Sequence, residues 1–199
     1  MKNAPTTASL KTIEGLRDEK LIEKLLIKKG IFPVHLAARL SDYNRLPAER
    51  PAFIFGPVGS GKTHLSVAYM VDIITQDLAK HPEREAAAVG FIRAVDLILM
   101  LRSSFREWGP GELIERFSRY PFLVIDDLGT ERDTPLVQEA LYSILDYRAG
   151  HRAPSLINSN LSLDHIAGQY GEYGERIASR IAGMGPSLEL KGKDHRWQR

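Results

Sequence analysis

The sequence predicts an α/β fold in which a parallel sheet is covered by helices on both faces. Three observations carry this. Short apolar runs alternate with longer stretches whose apolar residues recur at helical spacing. A glycine-rich loop, Gly56-Pro57-Val58-Gly59-Ser60-Gly61-Lys62-Thr63, stands between one such run and one such stretch. A third run, Phe122-Leu123-Val124-Ile125, ends in two carboxylates, Asp126 and Asp127.

Taken in order, residues 1–40 form an N-terminal arm that carries one basic amphipathic helix over 17–29. Its apolar positions Leu21, Ile22, Leu25 and Leu26 lie on one face, Lys20, Lys24 and Lys28 on another, and Gly30 stops it. Residues 41–185 form the core. Strands are expected over 52–55, 88–92, 122–125 and 155–158. Helices are expected over 63–78, 94–108, 136–149 and 173–182, the second of these closed by Gly109-Pro110. Residues 186–199 are a basic tail.

The 199 residues, 43% hydrophobic and 26% charged, suit one globular domain able to bury a core. The absence of cysteine excludes disulfides, thiolate metal sites and cysteine nucleophiles. No apolar run approaches the ~18 to 20 residues that cross a bilayer, and the first residues lack a signal peptide's apolar stretch, so a cytoplasmic protein with no membrane partner is expected. Lys and Arg outnumber Asp and Glu ten to six over residues 1–50 and six to two over 176–199, whereas acids lead seventeen to eleven between them. Basic flanks around an acidic core hint at a polyanionic partner.

The loop fits G-x-x-x-x-G-K-[ST] at every constrained position. Its glycines let successive N–H groups point at phosphate oxygens, and the following helix adds its positive dipole end. Gly56 to Lys62, with Thr63 and His64, are therefore the candidate ATP-binding residues. Lys62 reaches the β- and γ-phosphates, and Thr63 places its hydroxyl on Mg²⁺. Ending a buried strand in two acids is costly unless a cation or a polarised water meets them. Asp126 is accordingly the second candidate in the magnesium site, and Asp127 the candidate that orients the attacking water.

These segments together resemble the AAA+ ATPases of the DnaC/DnaI helicase-loader and IstB transposition-helper group over roughly residues 30–185. The resemblance lies in GPVGSGKTHL at 56–65, FLVIDDLGTE at 122–131, ALYSILDYRAG at 140–150, SLINSNL at 155–161 and GERIASRI at 174–181. It implies a P-loop NTPase with an AAA+ core, ATP hydrolysis, slowed by the shorter reach of Asp127, and ATP-dependent oligomers. It makes Asn160 the sensor 1 residue, with Asn158 as the alternative two positions earlier. Arg180 becomes the finger that completes a neighbour's site, with Arg176 the other candidate. Nineteen residues follow Arg180, too few for the C-terminal helical lid of most AAA+ proteins. Asp127 stands where wider AAA+ enzymes carry Glu.

The resemblance also implies the partners: single-stranded DNA and a replicative helicase, or a transposase if the chain is a transposition helper. A monomeric P-loop kinase, or a module that holds ATP without turning it over, are the rival readings. In the loader clade the stretch after the second strand lines a DNA path, which makes Arg102, Phe105 and Arg106 the candidate DNA contacts. Arg102 and Arg106 lie four apart on one helical face.

Overall fold

A computed structural model describes residues 19–43, 46–81, 89–104, 109–130 and 134–192. Five strands form one parallel sheet in the order β2-β3-β4-β1-β5: β1 (Phe53–Phe55), β2 (Val89–Arg93), β3 (Phe122–Leu128), β4 (Ser155–Ser159) and β5 (Ser187–Glu189). Helices flank it: α1 (residues 19–28), α2 (Lys62–Lys80), α3 (Ala94–Ser104), α4 (Pro110–Ser118), α5 (Pro135–Gly150), α6 (Leu163–Gln169) and α7 (Gly174–Gly183).

The strands alternate between two cores, as a sheet buried on both faces must. Ile54, Phe122, Val124 and Leu156 point into a cluster with Leu65, Met70 and Ile74 of α2 and Ile22, Leu25 and Leu26 of α1. Phe53, Leu123, Ile125 and Ile157 point the other way, onto Leu97 and Leu101 of α3, Leu141 and Ile144 of α5 and Ile177 and Ile181 of α7. The α1 lysines Lys20, Lys24 and Lys28 stay exposed. Gly30 ends α1 at φ +83, donating to the Ile27 carbonyl at 2.9 Å while Ile31 reaches back to Leu26 at 3.1 Å.

The expected helices and strands appear within a few residues, with three differences. Gly109-Pro110 does not merely close a helix: Gly109 turns at φ +80 and Pro110 opens α4, a position where its missing N–H costs nothing. Of the helix expected over 94–108, residues 105–108 lie outside the described residues, as does the first residue of the strand expected over 88–92. Arg93, which falls between the strand expected over 88–92 and the helix expected over 94–108, is the last residue of β2, and it pairs with Asp96 through two hydrogen bonds of 2.6 and 2.9 Å. Three elements, α4, α6 and β5, had no counterpart among the sequence-based expectations; among the described residues β5 is the last strand, and no helix follows α7.

Arg148, near the end of α5, is fully buried, yet it is held by neutral oxygens rather than by a carboxylate. Its guanidinium donates to the carbonyls of Phe117, Ser118, Tyr120 and Pro154 and to the Ser155 hydroxyl, at 2.6–3.2 Å. Burial lowers it to about 10, still charged at neutral pH. It ties the end of α4 to the approaches to β3 and β4, at the amino ends of the strands, away from the phosphate loop.

Candidate ATP site

The site forms where the carboxyl ends of β1, β3 and β4 meet the start of α2. Gly56, Gly59 and Gly61 have φ of +150, +76 and +93, which other residues adopt only under strain. Gly56 is also constrained by space: a Cβ there would lie 2.3 Å from the Leu190 carbonyl oxygen. Leu190 in turn donates its N–H to Phe55 at 2.8 Å, so the chain after β5 braces the phosphate loop from the side. Leu65 makes the first backbone bond of α2, to Gly61 at 2.9 Å, which leaves the preceding N–H groups facing the loop.

The Lys62 ammonium donates to the carbonyls of Gly56 and Pro57, both at 2.9 Å, and to Asn160 Oδ1 at 2.7 Å. Asn160 thus joins the phosphate loop across 98 residues of sequence. Asn158 serves the acidic side of the site instead. Its amide donates to Asp126 at 2.5 Å and its oxygen accepts from Ser66 at 2.8 Å. The Thr63 hydroxyl lies 3.1 and 3.0 Å from the two Asp126 oxygens.

Asp126 is only 2% exposed. Burial pushes its carboxyl up to about 6; the Asn158 amide opposes the rise, the nearby charge of Asp127 adds to it, and Thr63 and Lys62 pull it back. An ionisable oxygen donor beside a hydroxyl is the hard-oxygen chemistry that Mg²⁺ selects. A divalent cation would relieve the cost of that buried charge, so Thr63 and Asp126 fit the ion.

Asp127 sits in the left-handed region at φ +56, and the β3–β4 register shifts between Ile125 and Leu128. Successive strand residues ordinarily face opposite sides. This irregularity lets Asp127 join Lys62, Thr63 and Asn160 around a cavity of about 750 Å³. Its other wall comes from Val34, His35, Asp42 and Tyr43, with Val58 and His64. His64 Nε2 is 3.4 Å from Asp42, and its ring lies 5.8 Å from that of His35.

Residues 39–198 match the model of the family described as IstB-like ATP binding protein. The chain belongs to this family. It is 25% identical over 188 residues to the replicative helicase loader DnaC of Escherichia coli K12, covering 84% of this chain and 71% of that protein. It is 28% identical over 126 residues to the insertion sequence IS5376 putative ATP-binding protein of Geobacillus stearothermophilus, covering 63% of this chain and 43% of that one. Among solved structures, DnaI superposes with a TM-score of 0.63 at 22% identity, over 81% of this chain and 95% of that chain. The protein is an AAA+ fold of the DnaC, DnaI and IstB-like group, as its five sequence motifs implied.

Two further candidate sets lie away from the cavity. Arg176 and Arg180 are both exposed on α7. Arg180 Nε is 2.5 Å from Asp146 of α5, while the Arg176 guanidinium sits 5.9 Å from the Tyr173 ring. Arg102 is exposed near the end of α3, a helix that also exposes Val95 and Leu99. Phe105 and Arg106 lie outside the described residues. No helix among the described residues is long and apolar enough to cross a membrane.

Sequence reasoning missed the wall formed by Val34, His35, Asp42 and Tyr43. These residues belong to a loop and two single 3-10 turns, Pro33–His35 and Leu40–Asp42, whose composition carries no motif. It also missed Gln169, the last residue of α6, whose side-chain amide donates to the Gly129 carbonyl at 2.9 Å.

Proposed function

We propose that the protein is an ATP-hydrolysing, DNA-responsive switch that loads a replicative helicase onto single-stranded DNA. The observation that carries this is the convergence of Lys62, Thr63, Asp127 and Asn160 on one cavity, with Asp126 directly behind Thr63. In this reading Lys62 and the loop N–H groups hold the triphosphate, and Thr63 and Asp126 would hold Mg²⁺, which would supply charge to neutralise the phosphates. Asp127 orients the water, and Asn160 stands beside the terminal phosphate. Catalysis of this type rests on positioning and charge stabilisation rather than covalent chemistry.

Hydrolysis is completed between copies in an ATP-dependent oligomer. Arg180 is exposed and outside its own chain's cavity, as a residue serving a neighbour must be; Arg176, one turn earlier, is the other candidate. The DNA path runs along α3 at Arg102 and continues through Phe105 and Arg106.

The relationship to the IS5376 protein and the family description support a second reading, an ATPase that assembles on double-stranded DNA and recruits a transposase. Hydrolysis measured with no DNA, single-stranded DNA and duplex DNA, beside capture of the cognate helicase or transposase, separates the two. Helicase capture with a single-strand response supports loading. Transposase capture with a duplex response supports the helper reading, and hydrolysis indifferent to DNA overturns both in favour of a kinase or a passive ATP-binding module.

A further inference from the structure

We infer that Gln169 is a positioning residue for ATP hydrolysis, holding the turn that aims Asp127 into the cavity. The inference rests on the assignment of Asp127 as the water-orienting carboxylate. A non-glycine residue at φ +56 keeps that conformation only where its surroundings over-determine it. Three sets of contacts do so here. Thr130 donates to the Asp127 carbonyl through its N–H at 3.3 Å and its hydroxyl at 2.7 Å. Ser159 of β4 donates its hydroxyl to the Leu128 carbonyl at 2.6 Å. Gln169 of α6 donates its amide to the Gly129 carbonyl at 2.9 Å from 40 residues away.

The Gln169 contact differs from the other two in what it joins. Thr130 acts within the turn and Ser159 within the sheet, whereas Gln169 fastens the turn to the helical layer. Gly129 lies at φ +91, a conformation that a side chain would strain, with the Leu161 side chain against it. The helix that carries Gln169 is held by backbone contact, since a Cβ on Gly174 of α7 would lie 2.0 Å from the Ala167 carbonyl oxygen of α6. α6 is thus packed tightly against α7, which carries Arg180. One amide thus ties the turn that carries Asp127 to α6, which packs against the helix that carries Arg180. The carbonyl can only accept, so the donor must be the Gln169 NH₂.

The test compares Gln169→Glu, which keeps the shape but cannot donate, Gln169→Leu, which removes both polar atoms, and Gln169→Lys, which keeps a donor. Each is measured as full-length protein for ATP dissociation constant and for kcat, with folding followed by circular dichroism. Misplacing a reacting group by about 1 Å costs up to ~10²-fold, so Glu and Leu should lower kcat by about tenfold or more while leaving ATP affinity within about twofold. Lys should restore most of kcat. Unchanged kcat in Glu and Leu, ATP affinity falling in step with kcat, or a Lys variant as impaired as Leu overturns the inference. Asp127→Asn is measured alongside: normal hydrolysis there overturns the assignment of Asp127 itself, whereas an inactive Asp127→Asn beside a normal Gln169→Glu removes the positioning role alone.

Discussion

Asn158 donates its side-chain amide to Asp126 at 2.5 Å while the Ser66 hydroxyl holds its oxygen at 2.8 Å. A buried aspartate in the candidate magnesium site is thereby kept in one orientation by a residue from the neighbouring strand. Asn160, two positions on, faces Lys62 instead. Alternate positions of one strand end thus serve the metal side and the phosphate side of one site.

The Asp126 carboxyl makes stability depend on pH. Its folded value, about 6, lies above its ordinary 3.8, so the stability associated with this group is fully present below about pH 3.8 and is lost as pH rises through about 6. The difference corresponds to about 3 kcal/mol as an upper figure. Asp126→Asn keeps an acceptor for Asn158 and removes the charge. In urea unfolding without divalent cations, the variant should exceed the parent in stability above pH 6, and the gap should close toward pH 4. A gap independent of pH would show that burial of this charge is not the cause.

Lys62→Ala should abolish measurable ATP binding and leave the circular dichroism spectrum unchanged. The lysine's ammonium donates to loop carbonyls and to Asn160, outside both hydrophobic cores. Labelled-ATP binding equal to the parent's would remove the phosphate-loop assignment.

An inactive mixture is expected to become active when the two defects lie on different sides of one interface. Asp127→Ala and Arg180→Ala should each abolish most hydrolysis, since an arginine finger supplies about 10³ to 10⁵ in rate. Mixed, they should recover a fraction of parental turnover. No recovery from two folded proteins that co-elute would argue against a shared site.

Replacing Arg102 and Arg106 by Ala should weaken single-stranded DNA binding with ATP present and leave ATP affinity unchanged. Two lost phosphate contacts on a single strand should flatten the log–log salt slope by ~1.4. An unaltered slope would move the DNA path to another basic segment, such as α1.

The phosphate loop and the Asp126-Asp127 pair were legible in the sequence because their chemistry depends on residues adjacent in the chain. Gly56 to Thr63 must be contiguous to wrap a phosphate, and no tertiary context changes that. Asn158 and Asn160 were legible as candidates but not as separate partners of Asp126 and Lys62, because both spans cross between strands whose register the sequence does not state. Arg148 was hidden for the same reason. In ALYSILDYRAG it reads as a surface arginine at a helix end, yet its acceptors Phe117, Ser118 and Tyr120 lie 28–31 residues earlier. Gly109-Pro110 carried both meanings, the end of one helix and the start of the next, and its proline is the part that marks a beginning.

The close approach of Gly56 and Leu190 makes the phosphate loop depend on a segment distant in the chain. The phosphate loop comes early in the chain, but Leu190, which braces it, follows β5 more than 120 residues later, and β5 must find β1 across the length of the core. Long loops closed late in synthesis are slow to form. The candidate nucleotide site therefore gains its support from Leu190 only once β5 has docked, and a chain interrupted between α7 and β5 could bury most of both cores while still lacking the support its phosphate loop leans on.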